Sequence, residues 1–169
     1  DGLPGVIIDR FGDAAVIQPN AAWADAMAGD IAEALQAVTG VSTVILNGQG
    51  RTRGLEGLPE RMEVIAGTAP AAPIEVPMNG AIYMADLMGG QKTGLFYDQR
   101  PNHAFAQRLA SGRVLDVFSH VGGFGLAMLA AGAEHATLID GSDPALTLAK
   151  KGAAAMGVEG KRDTIQQDA

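Results

Sequence analysis

Hydrophobic and polar residues alternate in two short segments near the start of the chain, GVIID (5–9) and AAVIQ (14–18), and this alternation predicts two β-strands. Residues 10–13 separate them, with Gly12 at the expected turn, so we predict a β-hairpin. Apolar residues then recur at helical spacing, which predicts a helix over residues 22–38 whose buried face comprises Met27, Ile31, Leu35 and Val38.

Two further strands, VILN (44–47) and EVIAG (63–67), flank the glycine-rich and charged segment 47–61, which predicts a mobile connection. Asn79–Gly80 lies between two alternating runs and indicates a second hairpin, because both turn residues accept positive φ. We therefore predict a small α+β domain over residues 1–87.

Strand and helix patterns alternate after residue 88. A helix at 103–111 precedes RVLDVF (113–118), a strand that is apolar on both faces, and then helix, strand, helix and strand follow to the end of the chain. This β-α-β-α-β series predicts an α/β fold with a parallel sheet and right-handed crossovers. Because a doubly wound sheet normally has more strands, residues 88–169 are expected to be the first part of that domain.

Composition limits the function classes. With 47% hydrophobic and 18% charged residues, and no apolar run near the roughly 20 residues of a membrane-spanning helix, the chain is expected to be soluble and cytoplasmic. The absence of cysteine excludes a disulfide or a cysteine nucleophile within these residues, and the histidines show no metal-ligand spacing. His103 is expected on a helix surface. A formal net charge of -7 argues that any RNA is bound mainly by other segments.

A glycine-rich turn in VLDVFSHVGGFG is the main candidate site. Asp116 lies near the end of its strand, and Gly122, Gly123 and Gly125 open the next helix, so the backbone could approach a ligand closely. The alternative is a tight connection without a ligand. Asp140 ends the next strand, where a carboxylate can accept hydrogen bonds from ribose hydroxyls or cap the loop. Asp143 is expected to be the N-cap of the following helix, with Pro144 in its first turn.

The cofactor class follows from the spacing of this turn. A dinucleotide motif starting at Gly123 and Gly125 would place Met128 where glycine or alanine is required, so an oxidoreductase is the weaker alternative. Asp116 and the longer loop FSHVGG favour a nucleoside cofactor without a pyrophosphate, such as S-adenosylmethionine.

Four ordered segments, DGLPGVIIDRFGD, GGQKTGLFYDQRPN, VLDVFSHVGGFGLAMLAAGA and LIDGSDPALTLAKKGAAAMG, give a more specific resemblance. The chain resembles the ribosomal RNA large-subunit methyltransferases that modify cytosine at C5. In that family a PUA domain precedes a central α+β domain and a Rossmann-like class I methyltransferase domain, so the resemblance implies that this chain covers the centre and the first part of the catalytic domain. Related guanine methyltransferases share the K-T-G-x-x-x-D-Q-R type of motif, which leaves the target base open.

The resemblance also implies site residues. It places residues of the glycine-rich turn around the methionine and ribose of S-adenosylmethionine: Asp116, Phe118, Ser119, Gly122 and Gly123. Asp140 would bind the ribose, with Gly141 and Ser142 near the adenine and Asp168 at its amino group. A segment over the cofactor pocket would be formed by Lys92, Thr93, Gly94, Phe96 and Asp98. The alternative for Lys92 and Arg100 is an ordinary solvated charge pair with Asp98.

One departure from the family concerns catalysis. Cytosine C5 is a poor nucleophile, and these enzymes activate it by adding a cysteine thiolate at C6. This chain has neither a cysteine nor the D-P-P motif, so we predict cofactor binding without a catalytic residue in this segment. Ribosomal RNA is the expected partner, and a homodimer is left open. A guanine-directed enzyme and a noncatalytic fragment for dimerisation or RNA placement are the alternatives.

Overall fold

The computed structural model describes residues 2–89 and 94–168. Within these ranges the chain forms two compact units, the first from residues 2–72 and 86–89 and the second from residues 73–85 and 94–168. The strands are β1 (Val6–Phe11), β2 (Ala14–Pro19), β3 (Thr43–Asn47), β4 (Met62–Ala66), β5 (Ile74–Met78), β6 (Ala81–Ala85), β7 (Arg113–Val117), β8 (His135–Asp140) and β9 (Arg162–Gln166). The α-helices are α1 (Ala22–Ala26), α2 (Ala28–Thr39), α3 (Arg51–Leu55), α4 (Arg100–Gln107), α5 (Gly123–Ala130) and α6 (Asp143–Ala155).

The first unit is built on a mixed sheet with the strand order β1-β2-β3-β4. The first hairpin is confirmed, because β1 and β2 pair antiparallel from Val6 opposite Pro19 to Phe11 opposite Ala14. Strand β1 extends two residues further into the turn than predicted, which leaves Gly12 and Asp13 as the connection, with Gly12 at a φ of 62°. Strand β3 then runs parallel to β2 and antiparallel to β4.

The helix predicted over residues 22–38 is two helices that separate at Met27. The predicted buried face is also wrong in part, because Met27 is 46% exposed and Val38 is 85% exposed. Alanines take the central positions instead: Ala28 and Ala32 are buried in a cluster with apolar residues of β2 and β3. Small side chains let α2 approach the sheet closely, so the alanines face the sheet. The larger Met27 and Val38, which the hydrophobicity pattern predicts to be buried, lie outside this contact.

A fully buried arginine organises the segment predicted as a mobile connection. This segment contains α3, and the Arg53 side chain within it has no exposed surface. Its Nη1 donates to the Pro19 carbonyl at 2.5 Å and to Asp25 Oδ1 at 2.8 Å, while Nε and Nη2 donate to the Pro59 carbonyl at 3.2 and 2.8 Å. All three guanidinium nitrogens are therefore bonded, and one side chain joins β2, α1 and the end of the segment.

Arg53→Ala is expected to lower the free energy of unfolding by about 3 kcal/mol, because the Pro19 and Pro59 carbonyls would lose their donors and Asp25 would keep only Arg61. Urea unfolding monitored by circular dichroism measures this change. The exposed Arg51 of the same helix is the matched control, and Arg51→Ala should change stability by no more than about 0.5 kcal/mol. Equal effects of the two substitutions would contradict the role given to Arg53.

The second unit contains the predicted parallel sheet, in the order β7-β8-β9. It also contains the second predicted hairpin, in which β5 pairs antiparallel with β6 and both turn residues have positive φ, 52° at Asn79 and 76° at Gly80. Helices α5 and α6 contact the parallel strands and also β6. The approach of α6 to β6 is close, since a Cβ on Gly152 would lie 2.7 Å from the Ile82 carbonyl oxygen.

Two features of the second unit differ from the sequence-based expectations. The β5–β6 hairpin groups with the second unit, because β6 packs against α5 and α6, whereas the predicted domains 1–87 and 88–169 placed it in the first. The limits of the predicted domains, 1–87 and 88–169, stay a prediction. Strand β7 is not covered on both faces, since Leu115 is 65% and Val117 40% exposed on the face opposite the helices. Across the described ranges, no helix combines the length and the apolar character needed to cross a membrane.

Candidate functional site

The candidate residues lie at the carboxyl ends of β7, β8 and β9. These strands are parallel neighbours, with Val117 beside Ile139 and Asp140 beside Gln166, so the segments that follow them emerge at one edge of the sheet. In open α/β sheets, ligands bind at this edge. All the candidate residues that the structure describes belong to the second unit.

The turn between β7 and α5 (residues 118–122, the β7–α5 turn) has a strained backbone. Phe118 and His120 have φ values of 59° and 50°, in the left-handed region that residues with a Cβ rarely adopt, and Gly122 has a φ of 83°. Backbone hydrogen bonds hold the turn, among them Ser119 N–H to the Ile139 carbonyl at 2.9 Å and Gly122 N–H to the Ser119 carbonyl at 2.7 Å. Such strain is typical of functional sites. It leaves the Phe118 ring 72% exposed.

Asp116 connects the end of β7 to the start of α5. Its side chain is 7% exposed, and Oδ2 accepts the Gly125 N–H at 2.8 Å. Burial raises the pKa of this carboxyl above its ordinary value, the backbone N–H groups of Gly125 and Phe124 oppose that shift, and the charge of Asp140 adds to it. The carboxylate therefore acts as an internal acceptor for the first turn of the helix.

The glycines of this region have packing roles. A Cβ on Gly123 would lie 2.8 Å from His103 Nε2, and a Cβ on Gly125 would lie 2.2 Å from Leu138 Cδ2, so a larger residue fits at neither position. Gly122 is required for its positive φ. For Gly123 and Gly125, these contacts match the alternative of a tight connection, in which small residues allow close packing of helix on strand.

Asp140 joins the β7–α5 turn to the loop after β8. Its Oδ2 accepts the His120 N–H at 2.7 Å, and its Oδ1 accepts the Ser142 N–H at 2.8 Å. Asp140 is thus a loop cap, and each of its oxygens retains a second lone pair for a ligand. Helix α6 begins differently from the prediction, because its N-cap is Ser142, whose Oγ accepts the Ala145 N–H at 3.3 Å, and Asp143 is the first helical residue.

Residues after β9 lie against the same loop. A Cβ on Gly141 would be 2.7 Å from Asp168 Oδ1, and the Gln167 N–H donates to the Asp140 carbonyl at 3.1 Å. The structure therefore brings together Asp140, Gly141 and Asp168. Among the residues that the structure describes, no three histidine or carboxylate side chains are grouped as metal ligands.

The segment expected over the cofactor pocket is described in part. Lys92 and Thr93 lie outside the described residues. Gly94 has a φ of 110°, and Phe96 contacts the β7–α5 turn, because its ring meets the His120 ring edge-on with centroids 5.1 Å apart. Asp98 lies in a 3-10 turn before α4, and its charge acts on the buried His103.

Two residues that the sequence analysis did not select lie behind the turn. The Tyr83 hydroxyl donates to the Gly123 carbonyl at 2.9 Å, and His103 is 5% exposed, so its expected surface position is wrong. Helix α4 begins at Arg100, three residues before the predicted start, and this places His103 and Gln107 one turn apart on the side that contacts α5. The four-residue spacing of His103 and Gln107 is the feature of the sequence that indicates a shared, buried face of this helix.

Gly125→Ala is expected to lower the free energy of unfolding by about 2 kcal/mol, because the new methyl group would overlap Leu138 and displace the helix from β8. Thermal unfolding measures the change. Gly160 is a suitable control, since it has no atom within 4 Å of a built Cβ and no positive φ, and Gly160→Ala should leave the melting temperature almost unchanged. A melting temperature equally insensitive to Gly125→Ala would refute the packing role.

Comparison with known proteins identifies the family of the chain. Residues 35–161 match the family described as S-adenosylmethionine-dependent methyltransferase. The chain is 36% identical over 160 residues to the ribosomal RNA large subunit methyltransferase I of Aeromonas salmonicida, an alignment that covers 94% of this chain and 40% of that protein. The chain thus spans about 40% of the length of the curated relatives it matches.

Solved structures show the same architecture. A Streptococcus mutans protein that is provisionally described as a methyltransferase dependent on S-adenosylmethionine superposes with a TM-score of 0.81 at 22% identity, over 97% of this chain and 42% of that one. The tRNA m1G37 methyltransferase of M. jannaschii superposes with a TM-score of 0.74 at 20% identity, over 96% of this chain and 46% of that one. The chain has the α/β fold of class I methyltransferases, with mixed sheets.

Proposed function

Because this chain belongs to the S-adenosylmethionine-dependent methyltransferase family, we propose that the carboxyl ends of β7, β8 and β9 form its cofactor site. The observation that supports this most directly is the position of Asp140. It ends the central strand, both of its oxygens are oriented by backbone N–H groups, and each oxygen can still accept a ribose hydroxyl. A carboxylate at this place in a parallel sheet commonly binds the ribose of a nucleoside cofactor.

The remaining residues fit the other parts of S-adenosylmethionine. Asp168, next to Gly141, would accept the adenine amino group, while Phe118, Gly122 and Gly123 would line the methionine side. Ser119 Oγ is buried and has no hydrogen-bond partner among the described residues, so it offers a polar atom at the turn. The bound cofactor supplies a methyl group on a sulfonium cation, and the carboxylates of Asp116 and Asp140 favour a positive charge at this edge.

The second part of the proposal concerns the substrate. We propose that the full-length protein methylates large-subunit ribosomal RNA at cytosine C5, which the family resemblance and the name of the Aeromonas relative support. Cytosine C5 requires a thiolate, and the 169 residues contain no cysteine, so the nucleophile would come from a segment outside them. Segments outside the chain would also bind most of the RNA, given its net charge of -7. A cytoplasmic location and a homodimer stay predictions.

Calorimetry tests the cofactor. The full-length protein should bind S-adenosylmethionine and not NAD, and Asp140→Asn should weaken binding at least about tenfold, because one ribose acceptor becomes a donor. Asp143→Asn, at the exposed start of α6, is the matched control and should leave the affinity unchanged. Preferential binding of NAD, or equal effects of the two substitutions, would count against the site.

Methyl transfer tests the substrate. The full-length protein and radiolabelled S-adenosylmethionine should label large-subunit ribosomal RNA, and nucleoside analysis of the product should yield 5-methylcytidine. Labelled guanosine would replace the cytosine proposal by a guanine-directed one, the alternative left open by the K-T-G-x-x-x-D-Q-R type of motif. Absence of labelling with intact cofactor binding would support the noncatalytic alternative.

A further inference from the structure

His103 lies in an aromatic slot behind the β7–α5 turn. Its ring is stacked on Tyr83, with centroids 6.1 Å apart and planes at 26°, and it meets Phe124 edge-on with centroids 4.6 Å apart. The side chain is buried, and Nδ1 has no hydrogen-bond partner among the described residues. The slot therefore suits a flat, uncharged ring.

The residues of the slot lie in close contact with Gly123, the first residue of α5. His103 Nε2 is so close to Gly123 that a Cβ there would lie 2.8 Å from it, and the Tyr83 hydroxyl donates to the Gly123 carbonyl at 2.9 Å. The His103 ring limits how far the Gly123 backbone can move towards α4, and the Tyr83 hydroxyl orients the Gly123 peptide group. Gly123 follows Gly122, at which the turn enters the helix, so both contacts act on the backbone proposed to line the cofactor.

We propose that His103 is a positioning residue for S-adenosylmethionine, whose neutral ring supports Gly123 and keeps the β7–α5 turn in the shape that binds the cofactor. This inference rests on the proposed cofactor site and adds a residue that does not itself touch the ligand. Shape and neutrality are the properties required of the ring, because the slot offers it aromatic faces and a glycine backbone.

The surrounding charged and titratable groups determine the effect of pH. Burial lowers the pKa of His103, and the charge of Asp98 on the turn before α4 opposes this shift. Tyr83 on β6 stays a neutral phenol, because burial and the nearby Asp116 of β7 raise its pKa. A protonated His103 would place a cation in the slot without a hydrogen-bonded anion, so the folded, binding-competent form is favoured above the ordinary histidine pKa and is lost as pH falls through the lowered one.

The experiment measures the dissociation constant of S-adenosylmethionine by calorimetry between pH 5 and pH 8, for the full-length protein and for His103→Phe. Phenylalanine preserves a flat ring and cannot be protonated. The unsubstituted protein should lose affinity by up to about tenfold for each pH unit below the pKa of His103. At pH 7.5, His103→Phe should bind S-adenosylmethionine with an affinity within about threefold of that of the unsubstituted protein. At lower pH it should not show the loss of affinity caused by His103 protonation, whereas any loss caused by Asp116 protonation should occur in both proteins.

His135→Gln is the control, because His135 is a partly exposed histidine that pairs with Asp163 at 3.0 Å at the opposite end of β8. It should keep the pH profile of the unsubstituted protein. Identical profiles for His103→Phe and the unsubstituted protein would overturn the inference while the cofactor site stands. A loss of more than tenfold for His103→Phe at pH 7.5, with an unchanged melting temperature, would overturn it in favour of a direct ligand contact. Failure of the unsubstituted protein to bind S-adenosylmethionine would overturn the proposed function and this inference together.

Discussion

The hydrogen bond from the Gly125 N–H to the buried Asp116 carboxylate fixes the geometry on which the site depends. It joins the end of β7 to the first turn of α5, so the five residues between them must form a tight, strained turn. A serine or an asparagine could accept the same hydrogen bond at a lower desolvation cost. The Asp116 carboxylate is nevertheless partly stabilised where it lies, because the backbone N–H groups of Gly125 and Phe124 oppose the rise in pKa that burial causes.

Asp140 connects the segments that follow the three parallel strands. By accepting N–H groups from His120 and Ser142, it determines how the loops after β7 and β8 sit relative to each other, and the Gln167 N–H adds the segment after β9. The loop-cap and ligand interpretations of Asp140 are therefore compatible. A carboxylate that is already oriented by two amides needs no reorganisation to accept hydroxyl groups, which lowers the cost of binding a nucleoside.

The sequence predicted those parts of the fold that depend on local geometry. The Asn79–Gly80 hairpin and the three parallel strands were correct, because positive φ at a tight turn and strand periodicity are properties of short segments. The misjudged features depend on residues distant in sequence. Ala28 rather than Met27 faces the sheet because of how closely α2 can approach, Arg53 is buried because Asp25 and Pro59 compensate it, and Leu115 is exposed because both helices lie on the other face.

The distinction between local patterns and contacts made by residues distant in sequence also holds for the site. The motif residues were found because they follow strands, whereas Tyr83 and His103 act through packing behind the turn. The spacing of His103 and Gln107 indicates the helix face involved but not the residues it packs against. Once assembled, this edge of the sheet displays the carboxylates of Asp140 and Asp168 and buries that of Asp116 close to Asp140. Such an edge attracts a sulfonium cation and repels phosphates. If the proposed function holds, the RNA backbone must therefore reach the methyl group from a surface supplied outside this edge, with only the target base entering it.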